Sequence, residues 1–145
     1  MASLLALSVR QPWAWAIIHD GKDLENRKSL FSHRGLTLIH ASAGMTREEY
    51  DTAIEFMGHA MNATGFKRHG GRPHFDDLKR GGIVGAVEIV DAVTESTSPW
   101  WMGPRALVLR NPIALPFIPC RGTVAPLFWK PDAATLAEVA RHLPE

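Results

Sequence analysis

The sequence predicts a single α+β domain over residues 1–145, with about six short strands in a barrel-like sheet and helices over its openings. Three observations lead there. Short apolar runs bounded by turn residues recur along the chain, each too short for a helix. Other segments repeat their apolar residues at helical spacing instead. Neither a repeat nor a linker divides the chain, and 46% hydrophobic with 21% charged residues argues against disorder.

The elements follow in order. "LLALSV" (Leu4 to Val9) is short and apolar, ends at Arg10-Gln11-Pro12, and reads as a buried strand. Pro12 suits the first position of a helix, where its missing N–H costs nothing, and "PWAWAIIHD" continues that helix until Gly21 ends it. Leu24 and its charged neighbours form a short strand, and "GLTLIHA" (Gly35 to Ala41) another. "TREEYDTAIEFMGHAM" is the longest helix. Thr46 and Glu49 make a capping box, and Tyr50, Ala53, Ile54, Met57 and Met61 form one apolar stripe.

From Thr64 to Gly82 the periodicity stops. That stretch holds five Lys or Arg, two His, two Asp and five Gly, and is expected to be a long surface loop. "IVGAVEIVDAV" (Ile83 to Val93) is apolar on both faces, as a covered central strand is. "RALVLRNP" (Arg105 to Pro112) and "GTVAPLFW" (Gly122 to Trp129) are further strands. Pro112, Pro116 and Pro119 put the segment between them at an edge or in an extended loop. Asp132 caps a C-terminal helix.

Composition narrows the function classes. A formal charge of +1 means that any nucleic-acid affinity must come from a local basic patch. The single cysteine, Cys120, excludes an internal disulfide and a multi-cysteine zinc site. The seven histidines show no ligand spacing, so neither a metal nor a cofactor is expected. Arg10 and Gln11 interrupt the only N-terminal run that resembles a signal segment, and no stretch approaches the roughly 20 apolar residues of a membrane span. A cytoplasmic protein without membrane contact is the simplest expectation.

Several residues stand out chemically. "GKDLENRK" packs five charges around one leucine. A strand starting near Asp23 turns Glu25 and Arg27 to one face, so Lys22, Glu25 and Arg27 read either as the wall of a site or as a charge-protected edge. Glu88 shares a strand face with Val84, Ala86 and Val90, and a carboxylate there needs a cation or an exit to water. Arg10 and Gln11, at a strand-to-helix junction, suit an anion. Trp13 and Trp15, two apart, cannot share a helix face; one is core and the other is free to line a cavity. Trp100 and Trp101 in "SPWWMGPR" make a stacking platform or a plug over a barrel end. His40 is a site histidine or a satisfied structural one, and Cys120, beside Arg121, is first a packing residue.

Together, "LSVRQPWAWAIIHDGKDLENR", "LIHAS", "GGIVGAVEIVDAV" and "LVLRNPIALPFIPCRG" resemble the ASCH (activating signal cointegrator homology) domain family of the PUA-like superfamily, over most of residues 4–129. The resemblance implies a PUA-like pseudo-barrel with a helix after the first strand, a longer helix after the third and a C-terminal helix. It also implies a cleft between barrel and first helix, and RNA or a modified nucleotide as ligand. Arg10, Gln11, Trp13, Arg27, His40, Trp100 and Trp101 would then contact the ligand, and Lys67, Arg68 and Arg72 its phosphates. Some small ASCH proteins are amidohydrolases on N-acetylated cytidine that use a Lys, a Thr three residues later and a Glu on a later strand; others have been proposed as ribonucleases. Lys22 and Glu88 match that lysine and glutamate, but Glu25 stands where the threonine nucleophile would be. A hydrolase built on Lys22, Glu25 and Glu88 is therefore the alternative to a binding domain.

Overall fold

The computed structural model describes residues 4–68 and 70–144. His69, one of the two histidines of the basic stretch, lies outside the described residues. The elements are β1 (Leu5–Val9), α1 (Trp13–His19), β2 (Leu24–Arg27), β3 (Gly35–Ala41), α2 (Arg47–Thr64), β4 (Gly82–Val93), β5 (Arg105–Pro119), β6 (Phe128–Trp129) and α3 (Ala133–Ala140). The strands form one curled half-barrel sheet in the order β2-β5-β4-β3-β1-β6. β1 and β3 run parallel, and the other pairs are antiparallel.

Strand alternation gives this sheet two buried faces. Leu7, Val9, Ile39, Val87, Ile89 and Leu107 meet Ala14 and Ile17 of α1. Ala6, Leu38, Ala86, Ile118 and Trp129 meet Val139 of α3 on the opposite face. Each fully buried branched side chain contributes about 1.5–3 kcal/mol, so α1, though only seven residues long, is held by its packing rather than its propensity. α2 begins at the capping box of Thr46 and Glu49 and ends at Gly65, whose φ of 72° a glycine adopts freely. Asp132 accepts the backbone N–H of Thr135 at 2.7 Å and starts α3.

Four local expectations are corrected. First, β5 runs on through Pro112, Pro116 and Pro119 instead of ending at Pro112. β2 covers it only from Arg105 to Val108, while β4 pairs with it as far as Pro119. The exposed prolines thus lie where one edge of β5 has no neighbour to receive an N–H, which is where a strand tolerates proline. Second, of the strand expected over Gly122 to Trp129 only Phe128–Trp129 pairs with β1. The Thr123 hydroxyl bonds both the N–H and the C=O of Ala125, a local turn that competes with the ladder.

Third, the stretch between α2 and β4 is fastened to the body of the protein. Tyr50 of α2 donates to the Pro73 carbonyl, Gln11 donates to that of Lys79 at 2.9 Å, and Leu78 is buried with Met45 and Tyr50. Fourth, Trp100 is packed inward, which sets aside the exposed platform in favour of the apolar packing alternative. It is 1% exposed, packs with Ala16, Met57 and Ala106, and lies 5.8 Å from the ring of Phe56. Asn26 secures its loop by donating to the Trp100 carbonyl and accepting from Met102 N at 2.8 Å. Trp100→Ala should therefore destabilise the protein by about 3–5 kcal/mol, read from the urea midpoint. A loss below about 1 kcal/mol would restore the exposed-loop reading.

Candidate functional site

The charged turn folds inward. Gly21, with φ of 75°, turns the chain out of α1, and Lys22 N then bonds back to the Ala16 carbonyl at 3.2 Å. β2 pairs antiparallel with β5, Glu25 opposite Leu107 and Arg27 opposite Arg105, so the side chains of Glu25 and Arg27 leave on one face. There they meet Lys22. Its Nζ lies 3.2 Å from Glu25 Oε1 and also donates to the Leu24 carbonyl, while Arg27 Nη2 is 2.8 Å from Glu25 Oε2. Lys22 and Glu25 are only 5% and 8% exposed, and the Trp13 ring lies 5.8 Å from the ammonium.

The cluster holds two cations and one carboxylate, an excess of one positive charge. Arg27 also donates from Nη2 to the Ser8 carbonyl at 3.2 Å, yet its buried Nε has no hydrogen-bond partner among the described residues. A buried donor left unmade costs about 1–3 kcal/mol and favours an incoming acceptor. Next to Lys22, a pocket of about 190 Å³ opens between Ile17, Gly21, Val87, Leu109 and Arg110. Its floor is apolar, and Lys22, Asp23 and Asn111 also line it. That is a setting for a small planar group carrying acceptors.

Glu88 is not part of this arrangement. Val87 and Ile89, its neighbours in β4, point toward α1 and the Lys22 pocket, so alternation sends the Glu88 carboxylate to the other face, next to its register partners Leu36 and Arg110. Lys22 is paired with Glu25, and among the described residues Glu88 joins no ion pair. Val84, expected to share the face of Glu88, packs instead with the core under α1, because β4 carries bulges at Ile83/Gly85 and Ala86/Glu88.

The remaining candidates scatter. Arg10 forms a two-pronged pair with Glu49, at 2.7 and 2.6 Å, and holds that carboxyl down at about 2 from an ordinary 4.5; the Thr46 backbone N–H adds to the effect. It is thereby occupied, not waiting for an anion. Gln11 is a buried strut, accepting from Trp15 N at 2.9 Å while its amide holds Lys79. Trp13 fits its assignment best, half-buried between Lys22 and an edge-on Phe56. Trp101 is half-buried against the Trp100 cluster. His40 belongs to the opposite face, beside Trp129. Burial raises the Cys120 thiol, in keeping with a packing role.

Of the three expected phosphate contacts, Lys67 and Arg72 are exposed. Arg68 is not available. Its side chain is 10% exposed, and its guanidinium grips both oxygens of Asp20 at 2.7 and 2.8 Å and stacks 5.4 Å from the Trp15 ring. Asp20 escaped the sequence reading, since nothing local marks a helix-end aspartate as buried. A signal did exist for a second missed group: Ser8 is the lone polar residue in an otherwise apolar strand, and it proves to be the hub of a buried network with His40 and Trp129.

Among the described residues no cluster of three or more His, Cys, Asp or Glu could hold a metal ion, and no helix is long and apolar enough to cross a membrane. Neither a family model nor a curated protein matches the chain.

Proposed function

We propose that the chain is an ASCH-type, PUA-like domain that binds RNA or a modified nucleotide in the cleft between its sheet and α1. One observation carries this reading: the buried Lys22–Glu25–Arg27 cluster has a charge to spare and an unmet donor at Arg27 Nε. A base carbonyl or ring nitrogen would satisfy that donor, and Trp13 offers an aromatic surface beside Lys22. The adjoining pocket, at about 190 Å³, is smaller than the roughly 300–1,000 Å³ of drug-sized sites, in keeping with one base rather than a strand. Lys67 and Arg72 would reach the phosphates that follow.

Binding is favoured over the hydrolase alternative by the carboxylates. Both Glu25 oxygens face cations, which suits a positioning group better than a base on water, and Glu88 leaves from the other face. The test is a fluorescence titration with a short oligoribonucleotide and, separately, with N-acetylated cytidine. Arg27→Gln should weaken binding at least tenfold while leaving the circular dichroism spectrum intact. Lys67→Ala with Arg72→Ala should flatten the salt dependence by about 0.7 per lost contact. No saturable binding of either probe, or binding indifferent to Arg27→Gln, would overturn the reading. Turnover of the acetylated nucleoside that needs Lys22 would favour the hydrolase.

A further inference from the structure

On the face away from Lys22 lies a cavity of about 590 Å³, walled by Ser8, His40, Ser42, Gly81 and the segment from Cys120 to Val124. That segment lies flush on the imidazole, so closely that a Cβ on Gly122 would fall 2.4 Å from His40 Cε1. His40 is 3% exposed, and its hydrogen bonds determine where the wall stands.

Counting protons in that network is informative. The Cys120 carbonyl, 2.9 Å from His40 Nε2, can only accept, so Nε2 carries a hydrogen. The Thr123 carbonyl, 2.9 Å from Ser8 Oγ, likewise takes the one hydroxyl hydrogen of Ser8. Trp129 Nε1 can only donate, and does so to Ser8 Oγ at 3.1 Å. One contact remains, His40 Nδ1 to Ser8 Oγ at 3.3 Å, and the hydroxyl has no hydrogen left for it. That bond is made only if Nδ1 supplies a hydrogen of its own. Every bond in the network is made together only when His40 carries both ring protons; a neutral ring forces Ser8 to choose between His40 and Thr123.

A second ring proton on His40 would put a positive charge in the cavity wall. Arg121, exposed at the rim, also lines the cavity, and among the described residues no carboxylate does. Around the imidazole, β1 supplies Ser8, β6 supplies Trp129, and the 120–124 segment supplies Arg121, Thr123 and a Cys120 thiol that burial keeps neutral. The cap of α3 supplies Asp132, whose charge is felt at Cys120 but whose carboxylate is engaged by Thr135. Asp132 stays outside the lining, so among the described residues the cavity wall itself carries no carboxylate.

We propose that this cavity is a second binding site, for a small organic anion bearing a carboxylate or phosphate group, and that binding there takes up one proton on His40. Arg121 meets the anion at the mouth, and His40 charges the wall behind it. The site is independent of the Lys22 cluster, although Ser8 touches both: its carbonyl receives Arg27, and its side chain serves His40.

The test uses sulfate as a tetrahedral probe and acetate as a planar one, since neither changes charge over the range needed. Amide resonances of residues 120–124 are followed at constant ionic strength between about pH 8 and about pH 5.5, where histidine charges. The expected result is saturable shifts in that segment, with an affinity that rises as pH falls, approaching tenfold per unit once one proton is linked to binding. The probe that binds more tightly identifies the headgroup. Arg121→Gln, at an exposed position, should lower the affinity at least tenfold at every pH. His40→Gln should remove the pH dependence; where that variant does not fold, the wild-type pH series and Arg121→Gln decide. Absence of saturable shifts with both probes, a pH-independent affinity, or undiminished binding by Arg121→Gln would each overturn the proposal.

Discussion

Arg68→Ala should destabilise the protein by about 3–5 kcal/mol, although the residue sits in a basic, glycine-rich stretch that reads as a surface loop. Asp20 is 0% exposed, and both of its oxygens are held by the Arg68 guanidinium. Removing the arginine strands a buried charge at the C-terminal end of α1, where the exposed carbonyls of the helix already repel it. The stacking of Arg68 on Trp15 is lost as well. Replacing both partners by apolar residues, Arg68→Met with Asp20→Leu, should recover much of the loss, because the penalty lies in the unpaired charge and not in the missing bond. Urea midpoints of the wild type, the two single variants and the double variant measure this. A single-variant loss below about 1 kcal/mol would mean that the pair is open to water and the loop only loosely docked. The same variant separates structure from recognition: Arg68→Ala should leave the salt slope of RNA binding unchanged, while Lys67→Ala and Arg72→Ala should not.

What could be read from the sequence was what depends on near neighbours. The capping box of Thr46 and Glu49, the glycine that ends α1 and the bounds of β3 are decided within four or five residues. The misreadings share a different origin. Trp100 looks exposed in "SPWWMGPR" because Phe56 and Met57, which cover it, arrive from α2 more than forty residues away. Arg68 looks free because Asp20 is equally remote. The prolines of β5 do mark an uncovered edge, as their pattern suggests, but only the sheet order reveals that the strand runs on through them. For the site, pattern placed Glu25 and Arg27 on one face, and the strand does so. It also placed Glu88 on the face opposite Val87 and Ile89. What pattern could not give was which of those faces α1 covers, and that decides whether Lys22 can reach Glu88.

Removing Glu25 should have the largest effect at the site. Glu25→Leu leaves Lys22 and Arg27 facing each other across a buried gap, without the carboxylate that accepts from both. Their repulsion adds to the cost of breaking a buried pair, so a loss of at least about 3–5 kcal/mol is expected. Lys22→Met alone should cost less, since Arg27 still neutralises Glu25. In the double variant Arg27 retains its bond to the Ser8 carbonyl and faces only neutral side chains, so part of the loss should return. The coupling between positions 22 and 25 should then fall within the 0.5–3 kcal/mol seen for contacting charges. A parallel cycle of Lys22→Met with Glu88→Gln should be additive to within about 0.5 kcal/mol, because Glu88 leaves β4 on the face turned away from Lys22. The two cycles discriminate sharply when unfolding midpoints are measured beside nucleotide affinity. Coupling at 22 and 88 with none at 22 and 25 would mean that Lys22 turns to the strand carboxylate in solution, and the hydrolytic constellation would have to be drawn again around Glu88. Coupling at 22 and 25, together with binding that fails whenever Arg27 is replaced, would leave the cluster as a preorganised cationic wall whose partner is the ligand.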